Sequence, residues 1–248
     1  ATLVIGGKFD PAKTMAWVQR HFDKLPRPRR ALPRLYTLDP VQDGERSVTL
    51  RRTSGTPQVM AAYHVPAGPH PDYPAIELLH SMLADAPAGR LHKALVETGR
   101  AAGSWAWSTG LAEPGFLIAG LQLAGGHDAD AVAREAVTVI EGLAARPATD
   151  EEFKRAQLKW LKNWEQRFTN PEQVGVALSE YVAQGDWRLF FLMRDRVKAL
   201  TLADIQRVAS GYLVPSNRTL GIYLPTDKPL RAPAPQAVDP VAQLRDFK

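Results

Sequence analysis

Length, composition and charge exclude several classes of protein. The 248 residues are 45% hydrophobic, enough for a folded core in one large domain or two small ones, and the lack of cysteine excludes disulfides, thiolate metal sites and a cysteine nucleophile. The 31 basic residues are interspersed with 26 acidic ones along helical stretches. This pattern indicates solvated helix faces rather than a nucleic-acid partner. The longest apolar runs are too short to cross a bilayer, so we expect no membrane insertion.

The first residues predict a strand followed by a helix. Residues 2–5 are apolar or β-branched and predict a short strand, and Asp10 followed by Pro11 predicts a helix start, with the helix running to about Phe22. Residues 25–40 contain four prolines and predict an extended connector. The opening residues have no basic region and no cleavage site of a signal peptide, so we expect the chain to lie inside a longer polypeptide.

The middle of the chain alternates between strand and helix patterns. Residues 46–51 and 58–65 predict two strands that we expect to be neighbours, and residues 75–84 and 90–97 predict helices. Residues 101–111 and 116–123 predict an antiparallel pair of strands joined by a Pro-Gly turn. Trp105 and Trp107 are two residues apart and therefore lie on the same face of the first of these strands. The sequence leaves open whether that face is buried.

Helical patterns fill most of the remaining chain. We expect helices at residues 128–145, 150–168, 172–183, 189–200 and 202–212. Capping boxes, Thr149 with Glu152 and Thr201 with Asp204, fix two of the starts. Residues 218–224 predict a last strand, and a Pro-rich tail that we expect to be partly disordered follows it.

One internal similarity bears on domain organisation. The run RTLGIYLPTDKP from Arg218 resembles ATLVIGGKFDPAK from Ala1 in hydrophobic pattern and in its trailing aspartate. Two equivalent closing strands would mean that one domain ends near the start of this chain and a second copy follows. Chance similarity between two short strands is the alternative.

The six histidines do not form a metal-binding motif. A zinc peptidase helix presents two imidazoles four residues apart with a glutamate between them, in either order, and no such string occurs. His80 lies on the apolar face of its helix, where we expect a hydrogen-bonded core histidine. Serine hydrolase, P-loop and dinucleotide-binding motifs are also absent from the sequence. We therefore expect neither catalytic residues nor metal ligands in this chain.

Two long runs carry a resemblance to a known family. Residues 56–97, TPQVMAAYHVPAGPHPDYPAIELLHSMLADAPAGRLHKALVE, resemble the second domain of the pitrilysin/insulinase-type zinc peptidases. Residues 185–227, GDWRLFFLMRDRVKALTLADIQRVASGYLVPSNRTLGIYLPTD, are similar to the closing helices and strand of that unit. The resemblance covers nearly the whole chain and lies in order and spacing rather than in a short motif. It implies an α+β fold, a mostly antiparallel sheet with helices packed on one face.

The resemblance also implies a division of the chain. Residues 1–25 would be the terminal strand and helix of the preceding catalytic-type domain, residues 26–45 a Pro-rich linker, residues 46–229 a non-catalytic peptidase-like domain and residues 230–248 a Pro-rich tail. No cofactor is expected in this chain, whereas the parent protein would bind zinc on its catalytic domain. Expected partners are that N-terminal catalytic domain, a homologous subunit in a homo- or heterodimer, and unfolded peptides.

Second domains of this family often contribute an arginine and, seven residues later, a tyrosine that hydrogen-bond the substrate. Val96 and Gly103 occupy those positions here, and neither side chain can donate a hydrogen bond. Arg100 is nearby but out of register. The substrate-binding residues of this chain are therefore left open.

Two functions fit the resemblance. The chain is expected to be the C-terminal non-catalytic domain of a bacterial zinc metalloendopeptidase, where it forms part of the peptide-binding chamber. The alternative is a structural or assembly subunit of the same fold without peptidase activity. We expect a periplasmic location, or otherwise a cytoplasmic one.

Overall fold

The fold is a five-stranded sheet covered by helices on one face. The computed structural model describes residues 2–26, 29–31, 40–245 and 247. Its strands are β1 (Arg46–Arg52), β2 (Gln58–Val65), β3 (Ala101–Ser108), β4 (Gly115–Leu123) and β5 (Arg218–Pro225). Its α-helices are α1 (Pro11–Phe22), α2 (Tyr73–Ala84), α3 (Ala129–Ala145), α4 (Asp150–Gln166), α5 (Pro171–Ala183), α6 (Leu189–Ala199), α7 (Leu202–Tyr212) and α8 (Pro240–Leu244). A π-helix at His92–Val96 lies between α2 and β3.

The sheet has the order β1-β5-β2-β4-β3. β2 pairs antiparallel with both β4 and β5, β3 pairs antiparallel with β4, and β1 pairs parallel with β5. The expected α+β fold with a mostly antiparallel sheet and helices on one face is therefore confirmed.

The expectation that β1 and β2 are neighbours is wrong. β5 lies between them, although it is the last strand in the chain. Leu220, Ile222 and Leu224 of β5 pack against the core, whereas all seven residues of β1 are exposed. The more apolar strand takes the inner position, and the arginine-rich strand takes the edge, where charged side chains discourage pairing with further chains.

The predicted strand at residues 2–5 is also wrong. All five strands of the sheet lie between residues 46 and 225, and residues 2–5 pair with no strand among the described residues. A strand requires a partner for its backbone hydrogen bonds, so an apolar pattern alone does not make one. The helix that follows is confirmed: Asp10 caps α1 by accepting a hydrogen bond from the Lys13 backbone N–H at 3.1 Å.

The segments that precede β1 and follow β5 in the chain are not simple extended connectors. Much of the connector predicted at residues 25–40 lies outside the described residues. Gln42 in the predicted linker is buried, and its amide Nε2 donates to the carbonyls of Gly44 (2.8 Å) and Arg218 (2.7 Å). The predicted tail contains the short helix α8, whose residues are exposed.

The core lies between the sheet and the helices. Residues of β2 alternate between buried and half-buried, with Val59, Ala61, Tyr63 and Val65 on the buried side. Helices α2, α3 and α7 supply the other half of the core, and both predicted capping boxes are present at the starts of α4 and α7. The opposite face of the sheet is therefore not covered by helices.

Candidate functional site: the open face of the sheet

The sheet face opposite the helices is the candidate site, and we call it the open face. Strand alternation and register place these side chains on it: Arg46, Val48, Leu50 and Arg52 of β1; Gln58, Met60, Ala62 and His64 of β2; Gly103, Trp105 and Trp107 of β3; Phe116, Ile118, Gly120 and Gln122 of β4; Thr219, Gly221 and Tyr223 of β5. No aspartate or glutamate occupies an open-face position of the five strands. The surface is apolar with a basic bias.

Aromatic side chains form one edge of the open face. Trp107 packs edge-on against Phe116 with 5.3 Å between ring centroids, and it is 46% exposed. The Trp105 ring lies over Gly120, where a Cβ atom would come within 2.3 Å of it. Trp105 and Trp107 thus belong to the face without helices, which settles the alternative that the sequence left open.

Aliphatic side chains and a hollow form the other edge. Val48 and Leu50 are each 48% exposed, and β5 presents Gly221 beside them. A cavity of about 200 Å³ opens there, bounded mainly by Val48, Leu50, Met60, Gly221 and Tyr223. The open face therefore has an aromatic ridge on β3 and β4 and an apolar hollow at β1 and β5.

A polar network on the helix side of the sheet connects the strands to α3. The Tyr63 hydroxyl donates to Glu141 of α3 at 3.1 Å, and Arg218 of β5 is paired with the same carboxylate and with Glu45. Burial, with the adjacent Glu141 charge, raises the pKa of Tyr63 far above its ordinary range. The network joins the two central strands to α3 and carries no group exposed on the open face.

Comparison with known protein families identifies the family of this chain. Residues 1–159 match the family model described as the peptidase M16 inactive domain. The chain belongs to the M16 peptidase inactive-domain family. The predicted resemblance to the second, non-catalytic domain of pitrilysin/insulinase-type peptidases is confirmed.

Relatives agree with this assignment. The M16 inactive domain is 49% identical to the inactive peptidase domain from Bordetella parapertussis, with a TM-score of 0.67 over 75% of this chain and 99% of that chain. It is 25% identical over 227 residues to the zinc protease PqqE of Helicobacter pylori, covering 88% of this chain and 50% of that protein. A protease structure from Helicobacter pylori shares the fold, with a TM-score of 0.83 at 22% identity over 89% of this chain and 54% of that one. The chain thus spans half the length of its curated relative.

The residues of this M16 inactive domain that the structure describes do not fit a zinc site. Within the described ranges, no group of three or more histidine, aspartate or glutamate side chains is placed to hold a metal. Glu77 of α2 instead accepts hydrogen bonds from Tyr73 (3.0 Å), Ser108 (2.7 Å) and Trp160 (3.4 Å). Burial, together with the Glu77 charge, raises the pKa of Tyr73. This carboxylate is used to join α2, β3 and α4.

His80 departs from the expectation of a hydrogen-bonded core histidine. It is half-buried, and its Nδ1 atom has no hydrogen-bond partner among the described residues. His64 is on the open face, and His70 accepts a hydrogen bond from the Asp72 backbone at its Nδ1 (3.1 Å). The histidines therefore lie on separate parts of the fold.

Val96 and Gly103 lie on adjacent elements at the β3 edge of the sheet. Val96 ends the π-helix and packs partly buried against the core, while Gly103 sits at a register irregularity of β3 with open space where a side chain would point. Arg100 pairs with Glu135 and donates to the Ala94 carbonyl at 3.3 Å. Its side chain thus joins α3 to the π-helix.

Sequence reasoning missed the hollow at Gly221. Its walls come from β1, β2 and β5, which are separated by up to about 170 residues along the chain and are brought together only by the strand order. The one available signal was a glycine inside an apolar strand, which often marks a close approach of a ligand or another backbone.

Proposed function

We propose that the open face forms part of the wall of the peptide chamber of a zinc endopeptidase. Zinc and the catalytic residues would lie on another segment of the parent protein. The observation that carries the proposal is a sheet face that is apolar, lined with aromatic side chains and left uncovered by the helices. Exposed apolar patches of this kind mark surfaces that bind peptides or proteins.

The proposed division of the chain follows the sequence similarity. Residues 1–25 would complete a preceding catalytic-type domain, residues 26–45 would link it to the domain at residues 46–229, and residues 230–248 would be a tail. Supporting this, none of the residues of α1 is buried and Leu3 and Ile5 are exposed, as expected for elements whose partner is elsewhere. Further proposed partners are a homologous subunit and unfolded peptides.

The test uses the parent protein with an open-face substitution. Trp107→Glu places a charge on the aromatic ridge and should raise KM for a long unfolded peptide by about tenfold, since a lost apolar contact costs about 1.4 kcal/mol or more. The matched control is Leu158→Glu, an equally drastic change at an exposed site of α4 in the helical layer. Equal KM values for wild type and Trp107→Glu, with normal zinc content, would refute the chamber wall.

The same assay separates the alternative function. A structural or assembly subunit predicts a parent protein without bound zinc and without hydrolysis of peptides. Zinc content by metal analysis, together with peptide cleavage, distinguishes the two.

A periplasmic location belongs to the proposal as well. No helix of the described residues is both long enough and apolar enough to cross a membrane. Fractionation of cells that express the parent protein tests the location, and recovery with cytoplasmic markers would contradict it.

A further inference from the structure

A basic cavity lies in the helical layer, away from the open face. Its volume is about 500 Å³, a size that suits a small ligand. It opens between the π-helix at His92–Val96, the end of α3 and the segment that joins α3 to α4. Its walls include three cations and three uncharged residues: Arg90, Lys93, Arg146, Ala94, Val139 and Thr149. None of the described residues that line it is acidic, so the cavity favours an anion.

Arg90 fixes the shape of this cavity. Its guanidinium pairs with Glu152 and donates to the carbonyls of Arg146 (2.7 Å) and Pro147 (2.9 Å). These bonds hold the segment after α3 beside the start of the π-helix. A wall that is already ordered adds no ordering cost when a ligand binds.

The side chain of Arg146 lies back across α3 at Gly142. A Cβ atom added at Gly142 would be 3.2 Å from Nη2 of Arg146 and 3.9 Å from its Cζ. Glycine inside a helix is less stable than alanine, so α3 gives up helix stability at the position where the guanidinium lies. The guanidinium makes no ion pair with any residue that the structure describes. It is therefore held at the cavity with donors left for a ligand.

Lys93 and Thr149 supply further donors. Lys93 is exposed on the π-helix, and it has no ion-pair partner within the described part of the chain. The Thr149 hydroxyl oxygen accepts the capping bond from the Glu152 backbone N–H at 3.2 Å. Because a hydroxyl can accept and donate at the same time, its proton is left for a ligand.

Nearby carboxylates do not neutralise these cations. Three of them are paired with other residues: Glu135 with Arg100, Asp150 with Lys154 and Glu152 with Arg90. Glu97 follows Lys93 by four residues, but no ion pair joins the two. Two positive charges therefore face the cavity without a counter-charge from the described residues.

We propose that this cavity binds a phosphate monoester that carries a small apolar group. The phosphate has three free oxygens, and Lys93, Arg146 and Thr149 offer donors from three separate elements. Its charge near −2 balances two cations, whereas a carboxylate brings one charge and two oxygens. The apolar group would lie against Ala94 and Val139. The cavity shares no residue with the open face, so the inference does not rest on the proposed function.

Titration of the ¹⁵N-labelled 248-residue chain with phenyl phosphate tests the site. The titration is run at low salt and at about pH 7.5, where the phosphate is mainly a dianion. Amide signals of residues 90–94 and 146–149 should shift and saturate. Inorganic phosphate lacks the apolar group and benzoate lacks the phosphate, so each should bind at least about fivefold more weakly.

Charge-removing variants have matched controls in the same helices. Arg146→Gln and Lys93→Gln should each raise the Kd for phenyl phosphate about tenfold or more, because each loses a hydrogen bond between charged groups. Arg134→Gln and Lys162→Gln make the same changes at exposed positions of α3 and α4 that do not line the cavity. Both controls should keep the wild-type Kd.

Gly142→Leu tests the placement of Arg146 without removing a charge. The leucine side chain takes the space over which the guanidinium lies, so binding should weaken although every cation is retained. Ala131→Leu, at an exposed position near the start of α3, is the control and should bind like the wild type. Thermal melts establish that both variants are folded.

Each outcome decides for or against the site. Localised shifts that the cavity variants weaken and the controls retain support it. Equal weakening in Arg134→Gln, or shifts spread over the basic surface, would overturn it in favour of general charge attraction. Absence of saturable binding, or tighter binding of benzoate or inorganic phosphate than of phenyl phosphate, would also overturn it. None of these results alters the test of the open face with Trp107→Glu, so the two proposals fail separately.

Discussion

At the scale of single residues, Glu152 has two structural roles. Its carboxylate accepts two hydrogen bonds from Arg90, at 2.8 and 2.9 Å, and a third from the Thr149 backbone N–H at 2.8 Å. The bonds from Arg90, followed by that from Thr149, lower the pKa of Glu152 from its ordinary 4.5 to about 2. Arg90 also donates to the Arg146 and Pro147 carbonyls, so one ion pair joins three segments of the chain.

This pKa predicts a pH-dependent contribution to stability. A depressed carboxylate pKa stabilises the fold above 4.5, and the contribution is lost as the pH falls toward 2. Glu152→Gln keeps the helix cap but loses the ion pair, so at pH 7 it should lower the free energy of unfolding by about 1–2 kcal/mol, after allowance for solvent screening. Urea titrations should show this difference shrinking between pH 5 and pH 3.

The neighbouring Glu151 provides the control. It is largely exposed and contacts Arg155 at 3.5 Å only, so Glu151→Gln should change stability by less than about 0.5 kcal/mol at any of these pH values. An effect of Glu152→Gln that is equally large at pH 3 would show that shape, rather than charge, decides the contribution.

At the scale of elements, α1 differs from every other long helix. It has a capped start and an amphipathic pattern, yet none of its residues is buried, and Met15, Trp17 and Phe22 are more than half exposed. Helices in proteins owe most of their stability to packing of an apolar face. α1 should therefore unfold independently of the domain at residues 46–229.

Proline substitution tests that independence. A proline inside a helix costs about 3 kcal/mol locally. Ala16→Pro should reduce helical circular dichroism but change the main unfolding transition by less than about 0.5 kcal/mol, because no core contact depends on α1. Thr138→Pro at an exposed position of α3, which buries Ala136 and Ile140, should lower that transition by about 3 kcal/mol or more. Equal losses in both variants would mean that α1 is part of the core.

The sequence predicts the secondary-structure elements better than it predicts how they are arranged. The helices between residues 128 and 212 follow from periodicity and from caps such as Thr149 and Thr201, because both signals are local. The position of β5 between β1 and β2 does not, because strand order depends on contacts between distant residues. The strand predicted at residues 2–5 failed for the same reason. In the candidate site, the shared face of Trp105 and Trp107 was predictable, whereas the hollow at Gly221 was not.

At the scale of the whole molecule, two apolar surfaces are exposed. One is the open face, and the other consists of α1 with the residues before and after it: Leu3, Ile5, Phe9, Met15, Trp17, Phe22 and Leu25. Gly6, within the second surface, lies beside the start of α5, because a Cβ atom added there would be 2.9 Å from the Pro171 carbonyl. Both surfaces fit the proposal that this chain works against a partner domain.

The last prediction is that the chain by itself associates through the α1 surface. Burial of apolar area drives association, and a helix with one uncovered apolar face can pair with a second copy. Sedimentation velocity across a concentration series should show a concentration-dependent dimer or larger species. Phe22→Lys should shift it to monomer, because a charge replaces the largest apolar side chain on the face that Met15, Val18 and Phe22 share. Trp107→Lys on the open face is the matched control. If only Trp107→Lys yields monomer, the contact between copies lies on the open face, and bound peptide should then compete with association.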